Sequence, residues 1–392
     1  MRNLATSRQY RFIGVRVLLT LGGLLALSGL QSCKPNVEEH LPNRDAMGQL
    51  MNQGNTTSAD PDSPTDFQQV IRGYQFQFPR DNLAHNDFRQ EWWYLTANLV
   101  TDAGEALGLQ WTQFRIATQA PQTTKPQSDW QTLQLYMAHS AITDEQSHLS
   151  AEKWSRAHPQ LAGVQASPFR VFLDNWQWQS ETQDLFPATL SVGTDEFGYR
   201  LQLNSQAQLQ LQGDKGFSVK SHDANIASYY YSQPFIKVTG DIIRKGKRES
   251  VQGMAWLDRE WSSQFLSRTQ QGWDWFALRL DDQSTLMLFQ LRDAQSHFLS
   301  ARRMYPDGTG HAVAQSTTGQ DAISLIPLVW QQTATGRYPV QWQLHIPAEK
   351  IALTVTPLNP NSNMPLSVRY WEGPVRLSGS HGGTGYMELT GY

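Results

Sequence analysis

Tyr199-Arg200-Leu201-Gln202-Leu203, continuing through Asn204-Ser205-Gln206-Ala207-Gln208-Leu209-Gln210-Leu211, sets apolar residues on one parity and polar residues on the other. Successive side chains of a strand point to opposite faces, so this alternation predicts strand with one buried face. Leu133, Leu135 and Met137 repeat it, as do Val340, Trp342, Leu344 and Ile346. Turn formers separate such runs: Asp102-Ala103-Gly104, Gly213-Asp214-Lys215-Gly216, Asp281-Asp282 and Pro306-Asp307-Gly308. No long amphipathic helix is written in the chain, and only the stretch from Ala151 to Arg156 is expected to make a short helical turn. Many strands at short intervals predict an all-β protein, a sandwich or up-and-down barrels.

The N-terminus reads as an address rather than as fold. Arg2, Arg8, Arg11 and Arg16 precede an apolar run from Val17 to Leu30, shorter than the roughly 20 residues that span a bilayer. The run closes on Leu30-Gln31-Ser32-Cys33, and Cys33 is the chain's single cysteine. This pattern predicts a lipoprotein signal over 1–32, exported by the general secretory route, with a lipid on Cys33 holding the protein to the bacterial envelope, facing the periplasm. Lys34 stands where an inner-membrane retention signal often has Asp, which favours the outer membrane. Residues 33–66 are polar and hold Pro35, Pro42, Pro61 and Pro64, the composition of a flexible tether. The remainder exceeds one typical domain and is expected to divide into 67–250 and 251–392.

One thiol excludes disulfides and cysteine metal cages. Loss of four signal-segment arginines from 32 basic residues leaves 28 against 35 acidic ones, a formal charge of about −7, which argues against nucleic acid as a partner. No Gly-x-Ser-x-Gly elbow and no His-Glu-x-x-His spacing occurs, and Gly382-Gly383-Thr384-Gly385 lacks the lysine of a phosphate loop. Neither a metal nor a cofactor is expected.

Chemistry concentrates in Glu91-Trp92-Trp93-Tyr94, in Trp256-Leu257-Asp258-Arg259-Glu260-Trp261 and in Gly272-Trp273-Asp274-Trp275. A carboxyl among indole rings loses water, its pKa rises, and it stays protonated nearer neutral pH. Such a group can donate a proton, and the ring faces can stabilise a cation. Asp258 and Glu260 are therefore the candidate acids. Glu91, Trp92, Trp93, Tyr94, His139, Trp256, Trp261, Trp273, Asp274 and Trp275 are the candidate ligand contacts. If one strand runs from Trp256 to Glu260, Asp258 shares its side with both, and Arg259 faces away. Glu91 has a structural alternative as partner of Arg115, and His139 as a core histidine. Trp92 to Leu99 also echoes Trp273 to Leu280, each run followed by an acidic turn and a second apolar strand, the mark of two related halves.

Glu91 to Leu99, Leu109-Gln110-Trp111-Thr112-Gln113-Phe114-Arg115, Met137-Ala138-His139-Ser140, Gly253 to Trp261, Gly272 to Phe276 and Gly385 to Tyr392 together resemble the AttH and carotenoid 1,2-hydratase-like family. The resemblance runs from about Phe67 to Tyr392. It implies two consecutive lipocalin-like (calycin-type) antiparallel barrels. Residues and resemblance together give two readings, of which binding is the first and catalysis the alternative. The first is an envelope lipoprotein that binds an apolar small molecule, as an accessory to ABC transporter components. The second is acid-catalysed hydration or isomerisation of an isoprenoid-type substrate.

Overall fold

A computed structural model describes residues 67–121, 128, 130–267, 269–294, 296–313 and 323–392. The signal segment, Cys33 and the tether lie outside the described residues.

The described chain is all-β apart from two short 3₁₀ turns, and its strands form two antiparallel sheets. In spatial order the first runs His148–Arg156, Gln134–Thr143, Ala106–Ala117, Gln90–Thr101, Lys247–Ser262, Ala227–Arg244, Phe197–Asn204, Ala188–Gly193, Trp176–Ser180, Phe169–Leu173 and Ala162–Ala166. The second runs Gly310–Ala312, His297–Met304, Thr285–Asp293, Gln270–Leu280, Gly383–Leu389, Arg369–Gly379, Ile351–Pro357, Arg337–Ile346 and Ser324–Gln332. The first curls into a nearly closed barrel and the second into a half-barrel, the lipocalin-like pair that the alternation and the family motifs predict.

In each sheet the first long strand pairs with the last: Gln90–Thr101 with Lys247–Ser262, and Gln270–Leu280 with Gly383–Leu389. The Trp92 and Trp273 segments therefore hold the same place in their halves, as their echo in sequence suggests. The sheets change over between Ser262 and Gln270. A second domain beginning at residue 251 is thus corrected, because that cut would fall inside Lys247–Ser262, a central strand of the first sheet.

Two local expectations also change. Ala151 to Arg156 is extended, not helical, and pairs along Gln134–Thr143; sheet context overrides the helix preference of Ala-Glu-Lys. Burial alternates from Tyr199 to Leu209, as expected, but the strand itself ends at Asn204. When pairing resumes at Gln210–Leu211, Gln210 is buried and Leu211 is half-buried, with Leu209 and Leu211 still packed against the first core.

Both concave interiors are filled. Leu95, Trp111, Trp178, Leu201 and Leu257 pack within the first, and Phe276, Trp342, Leu353 and Trp371 within the second, as side chains fill small barrels. Two further apolar clusters lie between the sheets, around Tyr94, Trp256 and Trp275 and around Phe114, Met137 and Tyr370. Backbones approach closely here: a Cβ on Gly108 would stand 2.4 Å from Pro374 Cγ.

Candidate active site

The cavity is formed not inside a barrel but where the convex faces of the two sheets meet. Along Gln90–Thr101 the even-numbered residues leave the first barrel, so Trp92 and Tyr94 face the second sheet. Register sets Asp258 opposite Tyr94 and Glu260 opposite Trp92, and on the other side Ser232 opposite Asp258 and Tyr230 opposite Glu260. The second sheet answers with Trp273 and Trp275, with Glu388 opposite Trp275, and with Glu372 opposite Glu388. Phe114, Phe265, Phe289, Tyr370 and Lys220 complete the wall. The space between these groups totals about 770 Å³ out to the mouth.

Asp258 is buried, and its Oδ1 accepts from Ser232 Oγ and from Trp256 Nε1 at 2.9 Å. Its Oδ2 has no partner that meets hydrogen-bond geometry, and the Tyr230 hydroxyl acts on the carboxyl as a further, weaker donor. Burial outweighs these donors and pushes the carboxyl up to about 7. Glu388 is raised to about 8, again by burial, against the opposing donor Trp273. Glu372 is raised well above the usual carboxyl range by burial and by the nearby Glu388. Its Oε1 accepts from Tyr94 Oη, while Oε2 has no partner that meets hydrogen-bond geometry. Three acids that favour the protonated form thus converge on one aromatic-walled space. Glu260 differs: Lys220 Nζ lies 2.6 Å from its Oε1, which Ser228 Oγ also contacts.

Of the twelve side chains expected in the site, Trp92, Tyr94, Asp258, Glu260, Trp273 and Trp275 line the cavity. Trp256 stands directly behind Asp258 as its donor. The other five do not reach it: parity turns Glu91, Trp93, Trp261 and Asp274 away, while His139, on the face turned to the second sheet, is covered by Tyr370. Glu91 and Trp93 point into the first barrel. There Glu91 meets Arg115, Arg259 (Nη2 to Oε2, 2.5 Å) and His85 (3.1 Å). Burial alone would raise Glu91, but the two guanidiniums hold it well below the usual range. Trp93 donates to Asn82 O at 3.0 Å and lies under the Arg259 guanidinium. Arg259 does face away from Asp258. Trp261 is in the first core, stacked on His85 at 3.8 Å. Asp274 points into the second sheet's interior, 3.1 Å from Arg292 Nε and 2.7 Å from Tyr392 Oη. His139 is buried behind the wall, its Nδ1 2.8 Å from Tyr370 Oη.

Tyr230, Lys220, Tyr370, Glu372 and Glu388 were not anticipated. Tyr370-Trp371-Glu372 repeats the crowding of Trp with carboxylate, and Tyr386 and Glu388 share a parity; both signals were legible. Among the described residues no group of His, Cys, Asp and Glu has the arrangement of a metal site.

A nearly closed barrel joined to a half-barrel, with an acid-bearing cavity between them, defines a paired lipocalin-like protein. The AttH-like family model matches residues 69–392, and the chain belongs to that family. A crystal structure of a Nitrosomonas europaea protein assigned to AttH is 35% identical, covers 83% of this chain and 99% of its own, and superposes with a TM-score of 0.72. Kievitone hydratase from Nectria haematococca shares the fold at 12% identity, with 83% and 96% of the two chains covered and a TM-score of 0.60. No match was found among curated proteins.

Proposed function

We propose that this protein binds the unsaturated end of an apolar small molecule between its two sheets and protonates it, initiating hydration or isomerisation. One observation carries the reading: Asp258, Glu372 and Glu388, all biased toward the protonated form, face a single cavity walled by Trp92, Trp273 and Trp275. A passive carrier of an apolar ligand gains nothing from buried carboxyls, each of which costs free energy to desolvate. An acid that must protonate carbon needs that environment. The cation then formed would be stabilised by the indole faces. Asp258 is the first choice as donor, because a carboxyl raised to about 7 is matched to proton transfer near neutral pH.

The test is incubation with isoprenoid alkenes in D2O, followed by mass spectrometry. Deuterium at carbon in recovered substrate or product supports protonation, and Asp258→Asn should lower that incorporation by about 10² to 10⁴. Tight binding with no deuterium incorporated would identify a carrier instead. The N-terminal pattern supports envelope anchoring through Cys33, for which release of Cys33→Ser from the membrane fraction is the test. The transporter partnership rests on family resemblance and would be read by co-purification.

A further inference from the structure

The gap between the sheets opens a second time, beyond Trp256 and Ala277. Those two belong to the apolar cluster between the sheets. Past them, Met254 and Arg279 continue the strand faces that present Asp258 and Trp275 to the acid cavity. Trp275 and Arg279 stand four residues apart on one strand, about 13 Å. The second cavity holds about 1220 Å³ out to solvent and shares no wall residue with the first. A bulge shapes it. Where Ala227–Arg244 pairs with Lys247–Ser262 the register slips between Gln233 and Ile236, so Pro234 and Phe235 together face Trp256. Such a bulge re-aims a side chain and leaves a residue out of the ladder. Phe235 joins the cavity wall with Met254, Leu280 and Pro306, and the Pro234 carbonyl accepts from Arg279 Nη2 at 2.6 Å.

Two cations line this space and no carboxylate does: Arg279, and Lys237 in register opposite Met254. Neither is ion-paired among the described residues. The acids nearest in sequence are engaged elsewhere, Asp281 by Gly382 N, Asp282 by Ser284 and Arg303, and Asp307 by Thr309. Arg279 hydrogen-bonds the protein only from Nη2, to Pro234 O and to Ala255 O at 3.4 Å, which leaves the donors on Nε and Nη1 to a ligand. Burial draws its pKa down to about 10, with no anion to offset the loss of water. Arg115, Arg259, Arg244, Arg292 and Arg303 are each met by a carboxylate. Arg89 and Arg302 also lack one, but they line neither cavity.

We propose that this opening is a second ligand site, which takes an amphiphile with a single anionic head, carboxylate or phosphate. The head meets Arg279 in charge-assisted hydrogen bonds, and Lys237 adds a second, more mobile point charge. The apolar body lies on Phe235, Met254 and Leu280. Nothing in this site depends on whether Asp258 gives up a proton.

Isothermal titration calorimetry of the full chain with octanoate, octyl phosphate and uncharged octan-1-ol tests it, each probe below its micelle concentration. At least one anion should bind about tenfold or more tightly than the alcohol, and the one that does names the head as carboxylate or phosphate. Arg279→Gln should weaken that binding by about tenfold or more. Lys237→Glu should do the same with an unchanged thermal melt, because Lys237 is exposed; it decides alone if Arg279→Gln loosens the sheets. Asp258→Asn should leave the affinity where it is. No binding of either anion, octan-1-ol bound as tightly as both, or an affinity unmoved by Lys237→Glu overturns the site. An affinity that changes in Asp258→Asn and not in Lys237→Glu moves the ligand to the acid cavity and overturns it equally.

Discussion

Asp258 and Glu388 occupy equivalent positions in the two halves of the molecule. Each lies on its sheet's last long strand, directly across from an aromatic residue on the first: Tyr94 for Asp258 and Trp275 for Glu388. The equivalence extends outward. Ser232 lies opposite Asp258 and Glu372 opposite Glu388, and a tyrosine, Tyr230 or Tyr370, stands two residues before each. One half-site has thus been built twice and turned face to face. The copies differ at Ser232 and Glu372, so the second sheet contributes two raised carboxyls and the first contributes one.

These raised carboxyls make folding depend on pH in an unusual direction. Asp258 moves from 3.8 to about 7 and Glu388 from 4.5 to about 8. Between those values the folded protein holds protons that the unfolded chain has lost, so stability falls as pH rises. For Asp258 the shift corresponds to a loss of about 4 kcal/mol by pH 8. Urea denaturation at pH 5, 6.5 and 8 should show the highest stability at pH 5, and Asp258→Asn should flatten the slope. Carboxylates held low, such as Glu91 and Glu152, contribute stability that is lost only below the ordinary carboxyl range, outside this window. A flat profile in the unmodified protein would contradict the assignment.

Lys220 and Glu260 should behave as a unit. Lys220→Met leaves the Glu260 carboxylate facing an apolar wall, and breaking a buried pair from one side costs about 3–5 kcal/mol. The double variant Lys220→Met/Glu260→Gln should recover most of that loss, because no unpaired charge remains. Additive losses in a denaturation cycle would mean that the two groups stabilise the fold independently.

Much of this architecture can be read from alternation alone. Val340, Trp342, Leu344 and Ile346 are buried as their parity requires, and Asp102-Ala103-Gly104 makes its turn with Gly104 at φ +83°. Parity also brings Trp256, Asp258 and Glu260 to one face. What it cannot say is which face meets the other domain. Both faces of Gln90–Thr101 are buried, one by its own barrel and one by the second sheet, so Trp92 and Trp93 look alike in sequence yet line different spaces. Glu372 and Glu388 escaped for the same reason, since their role depends on an approach between distant segments. Trp261 was misplaced by its neighbours: one residue past Glu260, it turns to the opposite side.

The Glu91 cluster should be purely structural. Glu91→Gln leaves Arg115 and Arg259 without their carboxylate in the first core, a change expected to cost about 3–5 kcal/mol. The urea midpoint should drop accordingly, while the infrared carbonyl band of protonated Glu372, isolated by difference against Glu372→Gln, stays where it is. A shifted band with unchanged stability would return Glu91 to the site.

Gly108 tests whether the seating of one sheet on the other sets the cavity. Its strand also carries Thr112 and Phe114, and Pro374 shares a strand with Tyr370 and Glu372. A Cβ at residue 108 would overlap the proline ring, at 2.4 Å from Cγ and 2.7 Å from Cβ, so Gly108→Ala must push these two strands apart. Overpacking of this kind costs about 1–3 kcal/mol. The displacement should also weaken the hydrogen bond from Tyr94 to Glu372, which shifts the Glu372 carbonyl stretch upward. Pro374→Ala in the same background removes the colliding ring and should restore part of both signals, a coupling that a local strand defect would not show. If Gly108→Ala stays within about 0.5 kcal/mol, the level of an unremarkable surface change, the sheets are not pressed together here. The acids of the second sheet would then be held by their own strands alone.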